Sequence, residues 1–160
     1  MAERTAGYLS KKPIVAVYSS RLTLAHETAE IIATKHHLPV VINRRLLDIR
    51  TPLQGKPLSY ARSFDGNFYQ PSLIRAGAER LSEVFSRMDR FLRNKVALHA
   101  GKHIAVVSHG DLLMTVYDAY SGRPWPKRGY SFKNWYVPQA TGFIIEFDEG
   151  NNPLSLVKFP

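Results

Sequence analysis

Three short runs of β-branched and apolar residues, Ile14–Tyr18 (IVAVY), Pro39–Ile42 (PVVI) and His103–Val107 (HIAVV), constrain this chain most. Runs with no polar alternation are what strands buried on both faces display, and such strands belong to parallel sheets covered by helices. After the first run, Leu22, Ala25, Ala29, Ile32 and Ala33 recur at helical spacing to about Lys35, before the second run begins. Strand, helix, strand in that order predicts a parallel pair joined by a right-handed crossover.

The third run leads into another helical stretch, Asp111–Tyr120. Gly142–Phe147 and Leu154–Phe159 predict a terminal strand pair across a turn at 148–153. A short helix is expected over residues 2–10, through Ala2, Ala6 and Leu9. The spacing of Ile74, Ala78, Leu81, Val84, Phe85, Met88, Phe91, Leu92 and Val96 predicts one long amphipathic helix from Leu73 to about His99, stopped by Gly101. Residues 50–71, with three Pro and two Gly, read as a long surface excursion. The pattern predicts an α/β layered sheet. At 160 residues and 44% apolar composition, it is expected to form one domain over 1–160.

No stretch approaches the roughly 20 apolar residues a membrane helix needs, and the first residues lack the apolar run of a signal peptide, so a cytoplasmic protein is expected. The absence of Cys excludes disulfides, thiolate catalysis and cysteine-type zinc sites. Lys and Arg number 22 against 13 Asp and Glu, a formal charge of +9 that favours anionic partners: phosphorylated metabolites, nucleic acid or acidic membranes.

Ser108, His109 and Gly110 directly follow the third strand and open a helix. This places an imidazole and free amides at the carboxyl edge of a parallel sheet, where open α/β sheets bind ligands. Gly110 permits close backbone approach, and the helix dipole favours an anion beside His109. Ser19 and Ser20 occupy the equivalent place after the first strand, and Arg21 adds a planar donor able to grip phosphate with two bonds.

Three segments together resemble the histidine phosphatase superfamily, the phosphoglycerate mutase-like proteins: YSSRLTLAHETAEIIA, LLDIRTPLQGKPL and HIAVVSHGDLL, in the family's order and spacing. The resemblance implies a three-layer α/β sandwich on a mostly parallel sheet. It also implies a reaction in which one His attacks a phosphoryl group, a second His and arginines stabilise its oxygens, and a carboxylic acid protonates the leaving oxygen. Matched by motif, His109 is the second histidine and Asp48 takes the place of the acid, with a shorter side chain than the usual Glu. Ser19, Ser20, Arg21, Ser108 and Gly110 are the expected phosphate contacts, and neither metal nor other cofactor is implied.

Two departures stand beside these matches. The family's first strand ends in Arg-His-Gly, which carries the nucleophile, and this chain has no Arg-His pair, so the domain is expected to be incomplete at its N-terminus. Leu24 stands where the family carries a pocket arginine, and Arg21, three residues earlier, is the substitute the spacing offers. The family places its first strand next to the one ending at Ser108, so losing it exposes sheet edges through which the chain can form a homo-oligomer.

The stretch 122–139 interleaves Arg123, Lys127, Arg128 and Lys133 with Trp125, Tyr130, Phe132, Trp135 and Tyr136. It is read as a substrate-side loop in preference to a nucleic-acid surface. Arg50, Lys56 and Arg62 of the other long loop can serve the same pocket. The expected partners are a small phosphorylated substrate or inorganic phosphate, with no membrane and nucleic acid disfavoured. Two functions follow: hydrolysis or transfer of phosphate from a phosphomonoester through a phosphohistidine in the full-length form, weak or absent in this chain; or a non-catalytic phosphate-binding or interaction remnant.

Overall fold

The computed structural model describes residues 1–57, 59–60, 63–64, 67–127, 129–130 and 136–159. Arg62, Arg128, Phe132, Lys133 and Trp135, named above as loop residues, lie outside the described residues. The elements run α1 (Ala2–Leu9), β1 (Ile14–Ser19), α2 (Thr23–Lys35), β2 (Val40–Ile42), a 3-10 turn (Arg44–Leu46), α3 (Pro71–Arg75), α4 (Leu81–Leu98), β3 (His103–Val107), α5 (Gly110–Tyr120), β4 (Gly142–Phe147) and β5 (Pro153–Phe159).

The three β-branched runs become one parallel sheet of order β2-β1-β3. Tyr18 pairs with Val41 on one side and Val106 on the other, so β1 is the centre and its apolar run is enclosed by neighbours. One face of this sheet packs on α1 and α2, where Ala6, Ala29, Ile32 and Ala33 meet Ile14, Val17 and Ala105. Small alanines let these helices lie close to the strands. The opposite face packs on α4 and α5, where Val84, Met88, Phe91, Leu92, Leu112 and Val116 close over Tyr18, Leu46 and Ile49. Helices on both faces of a parallel sheet make the expected three layers.

β4 and β5 form a separate antiparallel pair, with Ile144 opposite Val157 and Ile145 opposite Leu156. Phe143, Ile145 and Phe147 of this hairpin pack against the same core as α4 and α5, yet among the described residues no strand pairs with the free edge of either β3 or β4. α1 bridges the two sheets on the other face: Tyr8 stacks on Phe159 with ring centres 5.3 Å apart, and the Thr5 hydroxyl donates to the Ala140 carbonyl.

The single long helix expected over 73–99 is two helices. α3 stops at Arg75, and the chain reverses at Gly77, whose φ of +100° is left-handed backbone that glycine adopts without strain. It then passes the buried Glu79 before α4 begins at Leu81. Apolar spacing runs through the break because Leu73 and Ala78 are buried in a small cluster of their own with Leu53. Residues 50–71 are correspondingly not a wholly surface excursion, since Leu53 is 6% exposed.

Candidate functional site

Each strand of the parallel sheet ends beside the next, so the residues after them gather at one edge. The Ser20 amide donates to the Val107 carbonyl (3.3 Å), and the Asn43 amide donates to the Ser19 carbonyl (2.9 Å). The Asn43 side chain accepts the Arg45 amide and starts the 3-10 turn, which carries the chain toward Asp48. Ser108 donates its hydroxyl to the Leu46 carbonyl at 3.0 Å, binding the β3 edge to that turn.

His109 caps the N-terminus of α5 and stands at the centre of this edge. Its Nε2 shares a hydrogen bond with the Ser20 hydroxyl at 3.0 Å, and its Nδ1 lies 3.9 Å from Asp48 Oδ2. Burial pushes the imidazole below its ordinary pKa; Asp48 pulls it back up and the nearby Arg87 guanidinium adds to the lowering. Proton on Nδ1 facing Asp48, with Nε2 accepting from Ser20, is the neutral tautomer that satisfies both contacts. Asp48 Oδ1 accepts the Ile49 amide at 2.8 Å, while its side chain is 43% exposed.

Ser20, His109 and Asp48 stand in the order of a nucleophile, a base and an orienting acid. Ser20 is nevertheless fully buried, and its hydroxyl already accepts the Leu22 amide at 3.1 Å. That position suits a group that orients His109 better than one that attacks a substrate. Ser19 is equally buried, with its hydroxyl on the Ser20 carbonyl.

Arg21 is exposed and has no polar partner among the described residues, and Leu24 is 78% exposed. Gly110 does give close approach, but to a protein group: a methyl built there would collide with the Tyr136 ring. None of the other histidines contacts His109 or Ser20 among the described residues. His99, at the end of α4, is bonded to the Tyr18 hydroxyl at 2.8 Å, and His26 pairs with Glu30 at 3.5 Å.

Two groups escaped the sequence reading. Asp111, the second residue of α5, accepts the hydroxyls of Tyr69 (2.6 Å) and Tyr136 (2.7 Å), one from each long loop. Burial raises its pKa; the two phenols pull it down, and Asp48 raises it again. The other is Arg87 of α4, locked to Glu79 and to the backbone around Asp48. Its sequence signal is faint: a Glu ahead of a helix and an Arg two turns into it.

The chain matches the family described as the histidine phosphatase superfamily (branch 1) over residues 1–159. It is 33% identical over 129 residues to phosphoglycerate mutase-like protein 4 of Arabidopsis thaliana; the match takes in 73% of this chain but 55% of that protein, so the chain spans about half the length of this curated relative. Among solved structures, YhfR of Bacillus stearothermophilus superposes with a TM-score of 0.72 at 25% identity, over 94% of this chain and 76% of that one. A mycobacterial glucosyl-3-phosphoglycerate phosphatase shares the fold, with a TM-score of 0.73 at 19% identity over 99% and 82% of the two chains, and is also known in complex with VO3 and with inorganic phosphate. With the three motif segments converging on one sheet edge, the chain belongs to the histidine phosphatase superfamily.

Proposed function

We propose that this chain carries one half of a phosphoryl-transfer site, seating the phosphate of a small phosphomonoester at the start of α5, where buried Ser20 orients His109. The observation that carries this reading is His109 held between Ser20 and Asp48 at a helix N-terminus, beside Arg87. An anion arriving there meets the positive end of the helix dipole and an imidazole that takes up a proton as the charge approaches. Asp48, half in solvent, is placed to hand a proton to a leaving oxygen. A mycobacterial phosphatase of the same fold, captured with inorganic phosphate, favours the same chemistry. In this reading no metal takes part, and the setting is cytoplasmic.

The phosphate-accepting nucleophile is the part this chain does not supply, because it holds no Arg-His pair. A second reading therefore stands beside the first: a binding or interaction module that has kept the phosphate seat without turnover, favoured by the exposed Leu24 at the family's arginine position. Calorimetric titration with inorganic phosphate and an aryl phosphate assay separate the two. Turnover lost in His109→Ala identifies an enzyme. Binding lost in His109→Ala, with no turnover in the parent, identifies the binding module. No binding and no turnover removes the phosphate reading.

A further inference from the structure

Arg87 divides its hydrogen bonds between Glu79 and the backbone around Asp48. Its Nε and one terminal nitrogen donate to the two oxygens of Glu79 at 2.6 and 3.0 Å. The other terminal nitrogen donates to the Arg45 carbonyl at 2.6 Å, and the first also reaches the Asp48 carbonyl at 3.2 Å. Glu79 completes the joint by accepting the Arg50 amide at 3.0 Å, and its own amide donates to the Arg50 carbonyl at 2.8 Å. The backbone is thus held at residues 45, 48 and 50, on either side of the acid.

We propose that Arg87, gripped by Glu79, is the positioning residue of this site. It holds the segment around Asp48 so that the carboxylate stays opposite His109, and it places behind the anion seat the positive charge that exposed Arg21 does not bring. This rests on the reading of the His109 edge as a phosphate seat. Only a planar guanidinium has the geometry for the task, since a lysine ammonium cannot span Glu79 and two carbonyls at once. The pair is also nearly desolvated, with side chains 19% and 11% exposed, so its hold on the backbone is less screened than at the surface.

The groups that act on His109 are few. Asp48 faces it from the segment after the 3-10 turn and Arg87 from α4. Ser20, after β1, contributes an uncharged hydroxyl. Asp111, the next carboxyl on the helix of His109, is engaged by Tyr69 and Tyr136.

The test is an NMR titration of the His109 ring in the whole chain, with inorganic phosphate affinity measured on the same samples, for Arg87→Lys, Glu79→Gln, Asp48→Asn and the double variants. Arg87→Lys keeps the charge and loses the fork. Its His109 midpoint is expected to fall toward that of Asp48→Asn, its phosphate affinity to drop several-fold, and both effects to vanish in the Asp48→Asn background. A folded Arg87→Lys with the parent midpoint, or an effect that persists undiminished without Asp48, overturns the proposal. Should Arg87→Lys not fold, Glu79→Gln decides by the same criteria, because it loosens the fork and leaves Arg87 in place. If the parent chain binds no phosphate, the reading of the site fails, while the ring titration still decides the role of Arg87.

Discussion

At the scale of single residues, the proposed phosphate seat makes anion binding depend on pH through His109. Its folded pKa lies below the ordinary imidazole value near ~6.5, with burial as the main cause. As pH falls through that range the unfolded chain takes up the proton first, so the free protein loses stability on acidification. A bound dianion favours the protonated ring, so affinity for sulfate, which keeps its charge over this range, is expected to rise as pH falls from 8 to 6. Calorimetry across that interval checks it, and an affinity that does not change with pH would mean the anion sits elsewhere.

Glu79 works in the opposite part of the scale. Burial raises its pKa, but bonds from Arg87 and the Arg50 amide outweigh this and leave it lowered. Its contribution is present above the unfolded carboxyl value and is lost as pH falls through the lower folded one. Removing one partner of a buried pair leaves the other charge uncompensated, so Glu79→Ala is expected to lose about 3 kcal/mol in urea unfolding at pH 7. Its stability should also decline less steeply than the parent's below about pH 4. Parallel acid profiles would count against this role. His109 and Asp48 were legible from motif and spacing; Glu79 and Arg87 were not, because their meaning lies in a fork that reaches carbonyls about 40 residues away.

Among the elements, α5 does most to organise the site, because its first turn carries His109 at the cap and Asp111 just inside. Asp111 joins Tyr69 of the 50–70 loop to Tyr136 of the 122–139 loop, and the Tyr69 ring lies against Gly129 of that second loop. The expectation that both loops border the pocket thus meets a physical link between them, although Arg50 bonds to the Gly77 carbonyl. Asp111→Ala is expected to release both loops, raising their rate of cleavage in limited proteolysis several-fold while the α4 and β1 core stays protected. Equal cleavage rates would show that the loops are held by other contacts. The break between α3 and α4 belongs to this scale as well. Apolar periodicity cannot register a reversal whose two flanks are both buried, and Gly77 was the one local sign of it.

For the whole molecule, the division of the strands into two sheets has the largest consequence. β3 and β4 each keep a row of backbone groups that no strand pairs among the described residues. Such edges recruit further strands, so the chain is expected to self-associate as concentration rises, and Val106→Pro, at a β3 residue whose amide faces away from β1, to suppress this if β3 forms the contact. Light scattering across a concentration series measures it; a monomer throughout would show the edges to be otherwise protected. No helix among the described residues is long and apolar enough to cross a membrane. Sequence alone determined the parallel strands, their crossover helix, the single Ser-His-Gly edge and the family, because strand and helix periodicities and short motifs are local properties of the chain. Only the tertiary structure decided that Ser20 is buried against His109, that Arg21 is exposed while Arg87 is fixed beside the Asp48 segment, and that Asp111 ties two loops together. Those outcomes depend on which distant backbone and side-chain groups meet when the three layers close, and burial, which sets both the pKa of His109 and the strength of the Arg87 fork, exists only after they do.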